Sequence, residues 1–214
     1  MAVSLPKGSW SLATAYASSI AVSAASNASE CVLTTAANTY APGDYLEFTS
    51  GWSDANNGIF RVKAATSTTV TLEGFDTTST ANFPAGIGGG AVRKISTWTP
   101  ITQVLNSTSS GGDTQFTNYQ FSDQNRETQI PTGTSAQSIS LDIADDPTLA
   151  HHAALKAAAR TRALTALRCD LGTGSKLLYN SIVSFDETPS MTQKQIMAVK
   201  AGFALQSTPT RYAS

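Results

Sequence analysis

The residues of this 214-residue chain whose types could do chemistry are few. They are two histidines, His151 and His152, three aspartates, Asp142, Asp145 and Asp146, and the run Gly172-Thr-Gly-Ser-Lys176. Adjacent histidines point to different sides of a helix. They lack the i, i+4 spacing of a helical metal pair and the Glu of a His-Glu-x-x-His site. The glycine run lacks the four residues that a phosphate loop places between its first Gly and its Gly-Lys pair. It also follows an expected helix and precedes an expected strand, the reverse of that motif's order, so it reads as a helix stop. The aspartates lie where a helix is expected to begin, and carboxylates are stabilised there by capping and by the helix dipole. Lys156, Arg160, Arg162 and Arg168 spread around that helix, which suits a solvated or subunit-facing surface better than a DNA-gripping stripe. No Ser/His/Asp or Cys/His set carries a local catalytic signature. No catalytic residue, no cofactor and no metal is therefore expected.

Composition narrows the class further. Lys and Arg number 14 against 15 acidic residues, a net charge of -1, which argues against a protein that grips nucleic acid through a concentrated basic surface. Charged residues are 14% of the chain, against roughly 25% in ordinary soluble domains. Ser and Thr, about a quarter of the residues, take their place. A polar but sparsely charged surface suits a protein covered mostly by copies of itself; a secreted β-protein has the same composition. Cys31 and Cys169 are too few for a disulfide framework and read as free thiols. No stretch is apolar and long enough to span a membrane. Met1 to Lys7 lacks the charged and apolar regions of a signal peptide.

The elements that must position these residues are mostly strands. Short segments about a dozen residues apart (Cys31–Thr35, Asp44–Ser50, Ile59–Ala64, Thr68–Leu72) carry turn signals between them, Pro42-Gly43 and Asn56-Asn57-Gly58, and predict a small barrel. Gly86-Ile-Gly-Gly-Gly90 reads as a flexible junction. A strand is expected over Ala91 to Leu105, and a polar loop without periodicity over Asn106 to Thr134. Long structureless loops inside compact domains tend to be functional. Ser138 to Ile143 alternates, with Ile139, Leu141 and Ile143 on one face. A helix is expected from Pro147 to Cys169, with Asp146 as N-cap. Lys176–Asp186 and Lys194–Gln206 read as two strands pairing around Pro189.

The part from Ala91 to Ser214 resembles the lambda-like family of phage major tail tube proteins. The resemblance rests on Ser109-Ser-Gly-Gly-Asp113, on Ser138-Ile-Ser-Leu-Asp-Ile143 leading into Asp145-Asp146-Pro147, on Leu171-Gly-Thr-Gly-Ser-Lys-Leu-Leu-Tyr-Asn180 with Ile182, Val183 and Ser184, on Thr188 to Lys200, and on Ser207-Thr-Pro-Thr-Arg-Tyr212. With Gly8-Ser-Trp-Ser-Leu12 as first strand, it covers about two thirds of the chain. The order and spacing of these stretches carry it. The chain departs from the family's simplest pattern between about Ala17 and Gly90.

The resemblance implies an α+β fold, mainly antiparallel β: a tail-tube β-sandwich and barrel-forming core with one flanking helix, here with an inserted small β-barrel. The expected division is 1–16 with 91–214 for the core and 17–90 for an insert on the tube exterior. It further implies hexameric rings stacked into a conduit for DNA in the virion tail, assembled in the host cytoplasm. The implied partners are other copies, a tape measure inside, terminator and distal tail proteins at the ends, and double-stranded DNA in transit; no membrane partner is implied. A sheet lining a water-filled bore must be polar on the bore side. The alternation offers Ser138, Ser140, Asp142, Asn180, Ser184 and Asp186 as lining, with Lys200 an unexpected positive charge among them. Gly111, Gly112, Asp113, Phe116, Tyr119, Phe121 and Arg126 in the polar loop are the residues expected to meet the neighbouring ring. The competing reading is a monomeric surface-binding or adhesin module with a ligand patch at Trp52 and Trp98; a hydrolase is the third.

Overall fold

The computed structural model describes residues 8–191 and 193–213. Met1 to Lys7, with the expectation about a signal peptide, and also Thr192 and Ser214, lie outside them. β1 (Gly8–Tyr16) leads into five short strands, β2 (Ile20–Ala25), β3 (Val32–Thr35), β4 (Tyr45–Ser50), β5 (Gly58–Ala65) and β6 (Thr69–Leu72). The long β7 (Gly90–Ile101) and then β8 (Val104–Ser110), β9 (Thr114–Tyr119), β10 (Thr128–Thr134) and β11 (Ser138–Ala144) precede the single described helix, α1 (Ala150–Thr161). β12 (Leu164–Leu171), β13 (Lys176–Ser190), β14 (Ala198–Leu205) and β15 (Thr210–Tyr212) complete the chain. All the strand pairs are antiparallel, so the α+β, mainly antiparallel class holds.

β2-β3-β6-β5-β4-β7 form a closed six-stranded barrel, sealed where Ile20 and Val22 of β2 pair with Val92 and Gly90 of β7. Side chains fill it: Leu33, Leu46, Phe48, Trp52, Phe60, Val62, Val70 and Leu72 share one core. Gly86–Gly90 is no flexible junction. A Cβ on Gly88 would stand 2.5 Å from the Trp52 ring, and one on Gly90 would stand 1.9 Å from the Thr49 carbonyl oxygen. These glycines are there because backbone runs against ring and backbone.

β7 continues past the barrel and pairs with β1, and the order β7-β1-β12-β13-β14-β11-β8 makes the rest of the sheet. This sheet folds over on itself. Trp10, Leu12, Leu167 and Cys169 of one half share a core with Ile139, Leu141, Ile143, Val199 and Phe203 of the other, and Leu155 of α1 closes it. Each such fully buried large side chain contributes about 1.5–3 kcal/mol. Since one face of the folded sheet encloses this core, its other face lies outside in both halves. Over the β1/β12/β13 half, that outer face is covered by the barrel, through Ala13, Tyr45, Ile59, Ala166, Leu178 and Tyr212.

Four local expectations are corrected. The helix ends at Thr161, not Cys169, because Arg162 turns left-handed (φ 53°) and Leu164–Leu171 becomes β12 between β1 and β13. Strand pairing overrides the helix propensity of an Ala- and Leu-rich run. Asp146 does not cap α1, whose first flanking residue is Leu149; Asp146 instead accepts from the Thr148 amide and hydroxyl in the preceding turn. Gly172–Lys176 is no helix stop but the turn between β12 and β13, with Gly174 at φ 89°. The strand expected over Ala91–Leu105 breaks at Gln103 (φ 59°) into β7 and β8.

Candidate functional site

The residues that could do chemistry do not converge. His151, in the first turn of α1, is buried with Nδ1 3.4 Å from the Thr102 hydroxyl, and burial holds its pKa below the usual value. His152 lies edge-on to Phe185, 5.0 Å between ring centres. Asp146 is engaged by Thr148, while Asp142 belongs to a sheet face. Lys156 pairs with Glu187 at 2.6 Å, and Arg168, now on a strand, bonds Asp170 and covers the Trp98 ring at 4.9 Å. Among the described residues no cluster of His, Cys, Asp and Glu could hold a metal. Both thiols are buried and free, and burial pushes each pKa up to about 11. The adhesin reading loses its ligand patch: Trp52 is 1% exposed and donates from Nε1 to the Pro84 carbonyl, and Trp98 sits between Tyr45 and Arg168.

What the fold does build is an open polar face. Registers across β8, β11, β14 and β13 place Asn106, Thr108 and Ser110 beside Ser138, Ser140 and Asp142. These stand beside Lys200, Gly202 and Ala204, and then Ile182, Ser184 and Asp186. The opposite side of the same strands is apolar and buried in the core. Lys200 is flanked across the ladder by Asp142 on one strand and Asp186 on the other. Two carboxylates against one ammonium leave these three residues at a formal -1. Asn180 does not join this face. It shares the parity of Ser184, but its end of β13 is under the barrel, where it is fully buried and donates from Nδ2 to the Asn57 carbonyl at 2.9 Å.

This four-stranded half-sheet has two open edges. β8 pairs only with β11, and β13 beyond Val183 pairs only with β14, its pairing with β12 stopping at Ile182. With four antiparallel strands, the two edges run in opposite directions.

Of the expected polar loop Asn106–Thr134, Asn106–Ser110 belongs to β8, and the rest is built around a two-stranded ribbon rather than an irregular segment. β9 and β10 pair from Thr114–Thr134 to Tyr119–Thr128 and join no other sheet. The ribbon springs from Gly111 and Gly112, both at positive φ (82° and 88°), and Asp113 anchors its root by donating its amide to the Ser135 hydroxyl. Phe116, Phe121 and Ile130 are about half exposed, Tyr119 and Phe121 meet edge to face, and Arg126 lies in the exposed tip. Sequence reasoning missed the ribbon because neither of its faces is buried, so no alternation marks it. It also passed over a second exposed apolar group, Met191, Ile196 and Met197 between β13 and β14 with Leu105 of β8 nearby in the chain fold.

The family model described as phage tail tube protein matches residues 50–214, from the end of β4 to the end of the chain. No curated protein matches. Proteins of that family are structural subunits of the virion tail that interact with other tail components. The match spans well over half of the chain, which therefore belongs to the phage tail tube protein family.

Proposed function

We propose that this subunit assembles into hexameric rings that stack into a hollow tube for DNA passage, with no catalytic step. The single observation that carries this is the polar half-sheet with two open, oppositely directed edges. Joining β8 of one copy to β13 of the next continues the antiparallel pattern and removes exposed strand edges, which are otherwise aggregation templates. Four strands from each of six copies exceed the roughly 16–18 strands at which a barrel already leaves an aqueous channel.

In this reading Ser138, Ser140, Asp142, Ser184 and Asp186 line the bore, with Asn106 and Thr108 added and Asn180 removed. Lys200 faces the bore too, but between two carboxylates. A lining of hydroxyls and compensated charge gives phosphates little to hold, since retention on DNA grows with uncompensated Lys and Arg. The residues of β2–β6 form an outer unit: the barrel covers the outside of the other half of the folded sheet, away from the polar face. The ribbon, with Gly111, Gly112, Asp113, Phe116, Tyr119, Phe121 and Arg126, reaches the adjacent ring. A tape measure in the bore, terminator and distal proteins at the ends, and assembly in the host cytoplasm complete the reading.

Negative-stain microscopy of the purified full chain tests it. Rings or tubes with a central hole are expected, and a chain that stays monomeric at every concentration sinks the reading. Removing Thr114–Thr134 should leave a folded subunit that makes no tubes.

A further inference from the structure

We infer that the exposed apolar loop between β13 and β14 is the receptor for the ribbon of a second copy, the one stacked on it end to end. This rests on the tube reading and names the second half of its ring-to-ring contact.

The two features stand at opposite ends of the same four strands. Ser110 and Ser138, where the ribbon departs, mark one end. The other end carries Val104 opposite Ile143, Ala144 opposite Ala198, and the 191–197 connection. Strands of a closed barrel run at a tilt to its axis, so stacking rings end to end brings the ribbon ends of one ring against the loop ends of the next. Both ends carry unburied apolar side chains that a lone subunit leaves in water. Met191 is 78% exposed and Ile196 65%, and Phe116 is 56% exposed. Contiguous apolar exposure of this kind marks an interaction surface, and methionine adapts its shape to whatever covers it.

Reach agrees. Phe116 and Ile130 each stand about five residues from the root of the ribbon, about 16 Å at roughly 3.3 Å per residue. That places both side chains clear of the ribbon's root. The ribbon is apolar on both sides, with Phe116 and Pro131 on one and Ile130 and Tyr119 on the other.

The test compares the full-length chain with two variants, Met191→Ser/Ile196→Ser/Met197→Ser and Phe116→Ser/Ile130→Ser. All five positions are exposed, so both variants should melt with the unaltered chain. Each should form rings but no tubes, with tube yield falling at least tenfold by sedimentation and microscopy. As a second measurement, Phe116→Cys/Met197→Cys chains, treated with a short bismaleimide, should cross-link into ladders longer than six. Tubes from the loop variant at normal yield overturn the pairing while leaving the tube reading intact. Cross-links that never exceed one ring overturn it as well. If the unaltered chain forms neither rings nor tubes, the tube reading falls and the pairing falls with it.

Discussion

The backbone amide of Arg61 donates to the Tyr212 hydroxyl at 2.8 Å, and the Arg61 guanidinium lies over the same ring at 4.6 Å. Arg61 belongs to the barrel and Tyr212 to the last strand of the sandwich. Arg93 and Tyr16 repeat the arrangement on the other side of the seam. The guanidinium covers the Tyr16 ring at 4.1 Å, while that hydroxyl accepts from the Ala166 amide at 2.8 Å. The barrel is thus joined rigidly to the sheet. Tyr212→Phe leaves a half-buried amide without its acceptor and should cost about 1–3 kcal/mol. A urea midpoint within error of the unaltered chain would show that the seam contributes nothing.

The same two phenols set a pH limit. Burial first, against hydrogen bonds that pull the other way, pushes Tyr16 and Tyr212 up to about 12 from the ordinary 10. Their pKa is raised in the folded state, so the neutral form is favoured by folding. The stabilisation is complete below pH 10 and is lost as pH rises towards 12, on the order of 2 kcal/mol for each. Urea midpoints should fall across that window, and Tyr16→Phe/Tyr212→Phe should flatten the fall. An equal slope in the double variant would contradict the assignment.

Gly88 lies against a ring that cannot yield, because Trp52 is buried and its Nε1 is held by Pro84. Gly88→Ala should cost about 1–3 kcal/mol by overpacking and shift the tryptophan emission. A variant as stable as the parent, with unchanged emission, would mean that the glycine run is loose after all.

How much of this was legible depends on what each segment buries. Ser138–Ile143 announced its strand because one face is in the core and the other in water. Leu164–Leu171 did not, since its Ala and Leu residues favour a helix and only pairing with β1 and β13 decides otherwise. The ribbon was invisible because Thr114–Tyr119 and Thr128–Thr134 bury neither face. Asn180 shows a further limit: parity gave its side of the strand correctly, but the barrel that covers that side lies more than a hundred residues away in sequence. The family resemblance, carried by order and spacing, is borne out by the family match over residues 50–214.

The compensated Lys200 gives a functional prediction. Asp142→Asn/Asp186→Asn changes the formal charge of the trio from -1 to +1 without altering size. Assembled tubes of this variant should retain double-stranded DNA, with retention falling steeply as salt rises, whereas unaltered tubes should not. Equal, negligible retention in both would show that the trio does not face the DNA.

The most direct measurement is an electron cryomicroscopy reconstruction of assembled tubes. The predicted map has Ser184, Asp186 and Lys200 on the wall of the central channel, β8 paired with β13 of the next copy, and the six-stranded barrel outermost. A map with the barrel or α1 lining the channel, or with β8 unpaired, would contradict the account.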